Sequence, residues 1–455
     1  MIIKTGKFKS INPATGETLE EFDYATESEA DEMISRSHDA FHTWREKGIS
    51  ERTKFLAKTA ENFAVNKTEL AKIITLEMGK PIKESVVEVE KCVWALNYFA
   101  NNAEKMLKDE IIRTKSPKSY VAFEPLGVVF AIMPWNFPYW QVIRCVAPAL
   151  AAGNVIILKH SSNVPRCSLE LERIFREAGL PDYSFKAILA DSTLAERIIG
   201  SDIDAVSFTG SVGIGMRIAE LAGKNLKKFV LELGGSDPFV VLNDADVDFA
   251  SQRAVESRMI NNGQSCIAAK RFIVDSSIFE EFTESFVRRI QELRIGDPLD
   301  PKTDVGPLVR NDQRKLMQEF VQDAVSKGAK ILTGGNMVQG KGFFFEPTVL
   351  TNVNHSMRIL NEETFGPIAP IIPVRNRDEA VQEANRTKFG LGASIWGKSG
   401  TERLARRIRS GTVYVNRIVA SDPLLPFGGV KMSGIGRELS RYGLLEFTNI
   451  KSIVV

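Results

Sequence analysis

Short apolar segments alternate with amphipathic helical segments from about residue 155 onward, and this alternation limits the possible folds more than any other feature. The predicted elements of this block are strands at 155–158, 187–189, 205–208 and 229–232 and helices at 165–178, 193–199 and 213–221. Brief, continuously apolar runs are typical of strands that are buried on both faces. Strands separated by helices form parallel sheets, so the pattern predicts a doubly wound α/β sheet.

Further segments flank this block. A mostly helical stretch is predicted over 26–110, where Thr26 and Glu29 have the spacing of a capping box. After residue 250 strand and helix patterns alternate again until about 415, and the tail at 450–455 is predicted as an apolar strand. We therefore expect an α/β protein with two doubly wound domains and a small β element.

One uncharged stretch has the length of a membrane span. Residues 126–143 are eighteen positions without a charged side chain. Pro134 and Pro138 interrupt the stretch, and a proline in mid-helix costs about 3 kcal/mol. A buried strand, a turn and a packed helix explain it better than a membrane span.

Charge and cysteine content exclude several classes of function. The chain has 59 Lys and Arg against 57 Asp and Glu, so a net charge of +2 provides no field that would hold nucleic acid or an anionic membrane. The four cysteines and four histidines are scattered, which does not favour a metal site. Separated thiols and a start without an apolar leader pattern predict a cytoplasmic protein.

Cys266 is the first candidate for chemistry. It lies in the segment Asn-Asn-Gly-Gln-Ser-Cys, which predicts a flexible polar turn whose backbone N–H groups have room to approach an oxyanion. A buried structural cysteine is the alternative, and it is the interpretation kept for Cys92, Cys145 and Cys167.

Glu232 is the second candidate, in the segment Val-Leu-Glu-Leu-Gly-Gly at the end of a predicted buried strand. A buried carboxylate is costly unless it is paired or functional, and burial raises its pKa into the range that suits a general base. The alternative is an ion pair with Lys227 or Lys228.

Two turns add further candidates. In Met-Pro-Trp-Asn-Phe-Pro, at 133–138, two prolines fix the backbone around Asn136, whose amide either donates to developing negative charge or belongs to a purely structural turn. Phe-Thr-Gly-Ser-Val-Gly-Ile-Gly, at 208–215, lies at a strand-to-helix junction. Glycines and a hydroxyl at a helix N-terminus suit a phosphate, although many βα turns are rich in glycine.

Together these segments resemble the NAD(P)-dependent aldehyde dehydrogenase superfamily from end to end. The resemblance rests on PWNFP (134–138), LKHSS (158–162), FTGS (208–211), LELGG (231–235), GQSC (263–266), EETFGPI (362–368) and PFGGVKMSGIGRE (426–438). The motifs occur in the order of the family, and the 34 positions from Glu232 to Cys266 and the 97 from Cys266 to Glu363 match its spacing. Segments 133–144 and 231–246 are most similar to bacterial succinate-semialdehyde dehydrogenases.

The resemblance implies a mechanism. Cys266 would attack the aldehyde to form a thiohemiacetal, with the oxyanion held by Asn136 and by the backbone N–H of Cys266. Hydride transfer to NAD or NADP would leave a thioester, and Glu232 would activate the water that releases the acid.

The resemblance also implies a set of cofactor-binding residues. They are Trp135, Lys159, Ser162, Gly210, Ser211, Gly215, Glu363 and Phe365. Lys159 matches the lysine that reaches the adenine ribose, Ser211 the residue at the pyrophosphate, and Glu363 the carboxylate at the nicotinamide ribose. Ser162 stands where the family often has Glu, and because a Glu would repel a 2′-phosphate, we expect NADP to be accepted.

By the same resemblance, Arg144 and Ser421 match residues that contact the substrate carboxylate in succinate-semialdehyde dehydrogenases. On one continuous helix Arg144 would share a face with Phe137 and lie about 12 Å beyond Asn136. An arginine in an apolar run indicates either a bound anion or a buried ion pair, and Ser421 is either a pocket contact or a plain turn serine. The expected substrate is succinate semialdehyde, oxidised to succinate.

Other functions stay open at this point. The substrate would be a phosphorylated triose or an aliphatic aldehyde in one alternative, and in another the protein is a catalytically silent structural or binding relative. The intact set of Cys266, Glu232 and Asn136 argues against the silent relative.

Three parts are expected. A cofactor-binding domain takes 1–111 and 129–232, a catalytic domain takes 233–426, and an oligomerisation element combines 112–128 with 427–455. The apolar tail strand is expected to add to the sheet edge of a neighbouring subunit. The resemblance implies a homodimer or homotetramer.

Overall fold

The computed structural model describes residues 6–455, so residues 1–5 of the expected first domain lie outside the described residues. The strands are β1 (Lys7–Ile11), β2 (Thr18–Asp23), β3 (Glu110–Ile111), β4 (Ser119–Pro125), β5 (Val128–Met133), β6 (Val155–His160), β7 (Phe185–Ala187), β8 (Ala205–Thr209), β9 (Lys228–Glu232), β10 (Asp237–Val241), β11 (Ala269–Asp275), β12 (Lys330–Thr333), β13 (Thr348–Thr351), β14 (Ile368–Val374), β15 (Ser394–Trp396), β16 (Tyr414–Val415), β17 (Gly434–Ile435) and β18 (Thr448–Val454).

The α-helices are α1 (Glu27–Arg45), α2 (Ile49–Val65), α3 (Lys67–Met78), α4 (Ile82–Met106), α5 (Trp140–Ala152), α6 (Pro165–Glu177), α7 (Ser192–Gly200), α8 (Val212–Lys224), α9 (Val247–Met259), α10 (Phe279–Gln291), α11 (Asn311–Ser326), α12 (Arg358–Asn361), α13 (Arg377–Asn385), α14 (Thr401–Ala405) and α15 (Ser440–Glu446). Short 3₁₀ helices occur at Ile260–Gly263 and Lys431–Ser433. The predicted capping box at the start of α1 is confirmed, because Thr26 and Glu29 exchange side-chain and backbone hydrogen bonds.

A six-stranded sheet has the order β17-β9-β8-β5-β6-β7, and its strands are parallel except for β17. Every residue of β5 is buried, as expected for a central strand covered on both faces. The predicted alternation between 155 and 232 is confirmed, with one shift. The strand expected at 187–189 ends at Ala187, because the Leu189 carbonyl accepts the Ala25 N–H instead of continuing the ladder.

A seven-stranded sheet has the order β12-β13-β14-β11-β10-β15-β16, and it is parallel except for β12. Phe239 and Phe272 belong to the core on one face, whereas their neighbours Val240 and Ile273 belong to the core on the other face. The expected fold, with two doubly wound α/β units, is therefore confirmed.

A three-stranded antiparallel sheet, in the order β18-β4-β3, holds the tail. β18 pairs with β4 along its whole length, from Thr448 with Pro125 to Val454 with Ser119, so the tail joins the 112–128 segment within the chain. Its expected addition to the sheet of a neighbouring subunit remains a prediction. The free edge is the outer side of β18, where Ile450 and Val454 are exposed. The expected domain boundaries remain predictions, and the tail also contributes β17 to the six-stranded sheet.

The uncharged stretch at 126–143 becomes β5, a turn and the start of α5, as expected. Glu88 on α4 fixes that start: its Oε1 accepts the N–H groups of Tyr139 and Trp140 at 2.8 and 3.0 Å, and its Oε2 lies 2.5 Å from Lys80 Nζ. Within residues 6–455, no helix is long and apolar enough to cross a bilayer.

Candidate active site

The carboxyl ends of the central parallel strands deliver most of the candidate residues to one edge of the six-stranded sheet. Asn136 follows β5, Glu232 ends β9, and Ser211 follows β8 as the N-cap of α8. Ligands of doubly wound sheets bind at this edge, because the loops and helix N-termini converge there. Cys266 reaches the same region from the loop that precedes β11.

The Cys266 loop is buried over residues 261–265 and is held by several hydrogen bonds, while its expected flexibility remains a prediction. Asn261, Asn262 and Gly263 are consecutive residues with φ of 54°, 57° and 77°, in the left-handed region. Asn261 Nδ2 donates to the carbonyl oxygens of Asn136 (2.6 Å) and Gln264 (3.0 Å). These bonds offset the strain of the turn and tie the loop to the turn that carries Asn136.

Asn136 is buried, and its side chain is oriented by this loop. Its Nδ2 donates to the Gln264 carbonyl at 3.1 Å, which uses one of the two amide hydrogens. The second amide hydrogen is available to a ligand. The backbone N–H of Cys266 has no hydrogen-bond partner among residues 6–455.

The Cys266 thiol is half-buried, and burial raises its pKa to about 11. Arg144 and Lys270 act in the opposite direction, because positive charge favours the thiolate. Lys270 Nζ also donates to the carbonyl oxygens of Ser265 and Cys266, both at 2.8 Å. In the ligand-free protein at neutral pH the thiol is therefore protonated.

Glu232 is buried, and neither carboxyl oxygen has a hydrogen-bond partner within the described chain. The expected alternative, an ion pair with Lys227 or Lys228, is wrong: Lys228 is paired with Glu446, and Lys227 donates to the Ser201 carbonyl. Burial and the nearby Glu438 raise the pKa of Glu232 well above its ordinary value. Such a carboxyl group suits a general base.

Gly235, three residues after Glu232, explains how Glu232 and Cys266 come close together. A Cβ atom on Gly235 would lie 2.7 Å from the carbonyl oxygen of Cys266. The segment after β9 therefore runs directly against the Cys266 loop, and a side chain at position 235 would push them apart.

A cavity of about 390 Å³ opens onto the thiol. Its lining consists of Lys83, Glu84, Val87, Glu88, Lys91, Phe137, Trp140, Gln141, Arg144, Ile260, Ser265, Cys266, Ile267, Ser421 and Phe427. Both residues expected at the substrate carboxylate, Arg144 and Ser421, are in this lining. The Cys266 thiol is therefore accessible to a small molecule that enters from the side of α4 and α5.

Arg144 lines the cavity, as expected for a residue that binds an anion, and it also forms the buried ion pair that was the alternative. Its Nε contacts a carboxyl oxygen of Glu438, and its guanidinium lies 4.6 Å from the centre of the Phe427 ring. The expected helical spacing from Asn136 and Phe137 is wrong, because α5 begins only at Trp140. The prolines at 134 and 138 keep the preceding segment out of the helix.

Ser421 is not a plain turn serine. It is buried, and its Oγ accepts hydrogen bonds from Trp140 Nε1 (2.9 Å) and Lys91 Nζ (2.8 Å). The loop before the C-terminal motif is thereby anchored to α4 and α5 at the cavity wall.

Glu363, Phe365 and Trp135 are candidate cofactor residues that belong to two separate segments, and contacts join these segments to each other and to the Cys266 loop. Glu363 Oε1 accepts the Gly235 N–H at 2.9 Å and lies 3.7 Å from Lys270 Nζ. The rings of Trp135 and Phe365 meet edge to face, with centroids 5.7 Å apart. Lys270 therefore holds both the Cys266 loop and Glu363.

The residues at the start of α8 fit a pyrophosphate. The Ser211 side chain makes no capping bond, and the first turn contains no acidic residue, so its N–H groups remain free for an anion. Gly210 and Gly215 are explained by packing: a Cβ on Gly210 would lie 2.5 Å from the Phe208 ring, and one on Gly215 would overlap Leu233.

Lys159 lies near the end of β6, and Ser162 lies two residues after the strand. Lys159 is half-buried, and burial lowers its pKa, while Asp191 opposes that shift. Ser162 is exposed, with no carboxylate in its place. The positions expected at the adenine ribose thus offer a cation and a hydroxyl to a phosphate.

Three residues at the site were not found by sequence reasoning. Lys270 lies four positions after Cys266, just beyond the quoted segment, and Glu438 closes the C-terminal motif, where it was given no role. Lys91 lies in α4, outside every motif, and no signal in the sequence separates it from the other lysines of that helix.

The fold and the site together define an α/β enzyme with a thiol and a carboxyl group at the ligand-binding edge of a doubly wound sheet. The family model for the aldehyde dehydrogenase family matches residues 3–453. The chain belongs to the aldehyde dehydrogenase family.

Individual relatives agree over nearly the whole chain. The NADP(+) succinate-semialdehyde dehydrogenase 1 of Mycobacterium tuberculosis is 45% identical, over 98% of each chain. A probable NADP(+) succinate-semialdehyde dehydrogenase of Synechocystis is 43% identical, again over 98% of each chain. The crystal structure of the Streptococcus pyogenes succinic semialdehyde dehydrogenase with NADP+ superimposes with a TM-score of 0.96 at 35% identity, covering 98% of this chain and 99% of the other.

The raised pKa of Cys266 predicts a pH dependence of alkylation. In the protein without added ligands, the rate of Cys266 modification by iodoacetamide should rise about tenfold per pH unit between pH 7 and 9, because the thiolate fraction does so below a pKa of about 11. The measurement is peptide mass spectrometry at timed intervals. Cys266→Ala, which keeps the three buried cysteines, is the control and should show little labelling. A rate that is already flat above pH 7 would contradict the raised pKa.

Proposed function

We propose that this protein oxidises succinate semialdehyde to succinate, with NADP as the favoured cofactor and NAD as the second. The observation that carries the proposal is the cavity that combines the Cys266 thiol with the cationic side chains of Lys91 and Arg144. A short aldehyde with a remote carboxylate fits a pocket of this size and charge. The names of the relatives from Mycobacterium tuberculosis and Synechocystis support the same substrate.

The thiol begins the chemistry. Cys266 loses its proton to solvent water and attacks the aldehyde carbon as a thiolate, a form that Arg144 and Lys270 favour electrostatically. The free amide hydrogen of Asn136 and the unpaired N–H of Cys266 donate to the oxygen that becomes negative. These donors are held in place before the reaction, so little reorganisation is needed when the charge develops.

Residues from both large sheets would hold the cofactor. The start of α8 would hold the pyrophosphate, Lys159 and Ser162 the adenine ribose with its phosphate, and Glu363, in the loop before β14, the nicotinamide ribose. The nicotinamide, when bound, would supply the hydride acceptor.

Glu232 completes turnover. The acyl group on Cys266 is released when water attacks it, and a carboxylate with no other hydrogen-bond partner accepts the proton of that water. Because burial favours the neutral form of Glu232, the group takes up a proton readily at neutral pH.

The assembly and location follow the same reasoning. The exposed edge of β18, with Ile450 and Val454, supports a homodimer or homotetramer that extends the three-stranded sheet. Four free thiols favour a reducing compartment, the cytoplasm.

The substrate assignment is tested by comparing two aldehydes of equal chain length. Succinate semialdehyde should show a kcat/KM at least about tenfold higher than butanal, because its carboxylate adds a charge-assisted contact worth roughly 1.5–3 kcal/mol. NADPH formation is followed by absorbance, with glyceraldehyde 3-phosphate as a further substrate. A preference for butanal or for the phosphorylated triose would assign a different aldehyde, and no reaction with any of the three would favour a silent relative.

The role of Glu232 is tested by Glu232→Gln, which keeps the shape and removes the base. We expect one equivalent of NADPH per active site in a burst, followed by turnover reduced about 10²- to 10⁴-fold. Stopped-flow absorbance measures the burst, and intact-mass spectrometry should detect the succinylated enzyme. Cys266→Ala is the control and should give neither signal. Wild-type turnover in Glu232→Gln, or lost turnover without the acyl-enzyme, would show that Glu232 has another role.

The cofactor preference is tested at Ser162. Ser162→Glu should raise the dissociation constant of NADP by about tenfold or more and that of NAD much less. The reason is that the new carboxylate would face the 2′-phosphate of NADP, and like charges brought together cost several kcal/mol. Fluorescence titration of the purified protein gives both dissociation constants. Ser162→Ala adds no charge and should change the ratio of the two constants by less than about threefold. Equal losses for both cofactors in Ser162→Glu would place the 2′-phosphate elsewhere.

A further inference from the structure

The cavity that contains Cys266 is lined by three cationic side chains, and two of them are already paired. Lys83 Nζ lies 2.5 Å from Asp304 Oδ1, and Arg144 contacts Glu438. Lys91 has no carboxylate oxygen within 4.0 Å among residues 6–455. Lys91 is therefore the cation of this lining that makes no ion pair with a carboxylate of the described chain.

Lys91 is held in position by neutral groups. Its Nζ donates to Ser421 Oγ at 2.8 Å and lies 4.3 Å from the centre of the Trp140 ring. Trp140 Nε1 donates to the same oxygen, so Ser421 Oγ accepts two hydrogen bonds. The hydroxyl hydrogen of Ser421 and the remaining hydrogens of Lys91 are then all donors, and this cluster lacks an acceptor.

The carboxyl groups nearest to this cluster are engaged elsewhere. Glu88 binds Lys80 and the first N–H groups of α5. Asp422 accepts the Leu424 N–H. Glu84 accepts the Asn261 N–H, and burial raises its pKa to about 7, so its negative charge is weakened at neutral pH. A bound carboxylate would supply what the cluster lacks.

We infer that Lys91, together with the Ser421 hydroxyl, binds the carboxylate end of the substrate and determines the preference for an ω-carboxy aldehyde. The inference deepens the proposed function and rests on it. Arg144 contacts Glu438 through Nε, and its Nη2 is buried without a hydrogen-bond partner in the described chain, so its guanidinium remains available to the same carboxylate. Lys91 adds a second cationic contact from α4.

The environment of Lys91 gives this contact a pH dependence. Burial, together with Arg144 on α5, lowers the pKa of Lys91 to about 8, while Cys92 and Glu88 on α4 and Asp422 in the loop after β16 oppose the shift. Lys91 is charged below pH 8 and loses its charge as the pH rises through that value. The substrate carboxylate stays ionised throughout this range, so its advantage over an uncharged aldehyde should decline above pH 8.

The test uses Lys91→Met, which keeps the apolar stem over Trp140 and removes the charge. The KM for succinate semialdehyde should rise about ten- to a hundredfold, while the KM for butanal changes less than about twofold. Lys83→Met is the matched comparison, because it removes a cation of the same cavity that is already paired, and it should shift the ratio of the two KM values by less than about threefold.

The pH profile distinguishes binding from a structural role. In the wild type, the ratio of KM for succinate semialdehyde to KM for butanal should increase above pH 8. Lys91→Arg should keep the low ratio and move its increase to higher pH, and Lys91→Met should give a high ratio that does not vary with pH.

The outcomes separate the two proposals. If the wild type prefers succinate semialdehyde and Lys91→Met keeps that preference, the inference about Lys91 is wrong and the proposed function stands. Equal rises in both KM values for Lys91→Met would make Lys91 structural and would also overturn the inference. If the wild type shows no preference for the carboxylated aldehyde at any pH, the proposed function itself fails.

Discussion

The geometry of the active site depends on one strained turn. Of the three consecutive left-handed residues before Gln264, the two asparagines Asn261 and Asn262 would each cost on the order of 1–3 kcal/mol in isolation, whereas Gly263 adopts this conformation readily. Asn262 offsets part of this cost across the molecule: its Nδ2 donates to the carbonyl oxygens of Gly79 and Pro307, and its Oδ1 accepts the Gly306 N–H at 2.7 Å. Because Asn261 binds the turn of Asn136, the position of the thiol relative to its oxyanion donors is determined by side-chain amides from this single turn.

A second constraint is the charge balance behind the thiol. Arg144 faces two buried carboxyl groups, Glu232 and Glu438, and burial raises the pKa of both. One guanidinium compensates one carboxylate, and its contact is with Glu438. Burial thus favours the uptake of a proton by the Glu232–Glu438 pair, which reduces the negative charge near the thiol.

Much of this architecture is predictable from the sequence, for a physical reason. Buried parallel strands such as β5 and β6 consist of short apolar runs, and Asn136, Glu232 and Cys266 lie in turns whose residue types are dictated by backbone geometry. What the sequence does not indicate is long-range pairing. The contact of Arg144 with Glu438, the backbone pairing of Glu232 with Gly434 and the hydrogen bond of Lys91 with Ser421 all depend on segments more than 100 positions away, and the start of α5 depends on Glu88 from another helix.

The position of β17 has a consequence for biosynthesis. Gly434 pairs with Glu232 in the six-stranded sheet, and Glu438 contacts Arg144. The Ser433 carbonyl accepts the Leu233 N–H, and the Ser433 hydroxyl donates to the Gly234 carbonyl. The ribosome delivers these residues after every other part of the site, since domains fold as the chain emerges from its N-terminal end. Until they arrive, the strand that carries Glu232 has an open edge and Arg144 lacks its carboxylate. A nascent chain can thus form most of its fold around a thiol whose surroundings are still incomplete, and the catalytic environment is assembled in one late step.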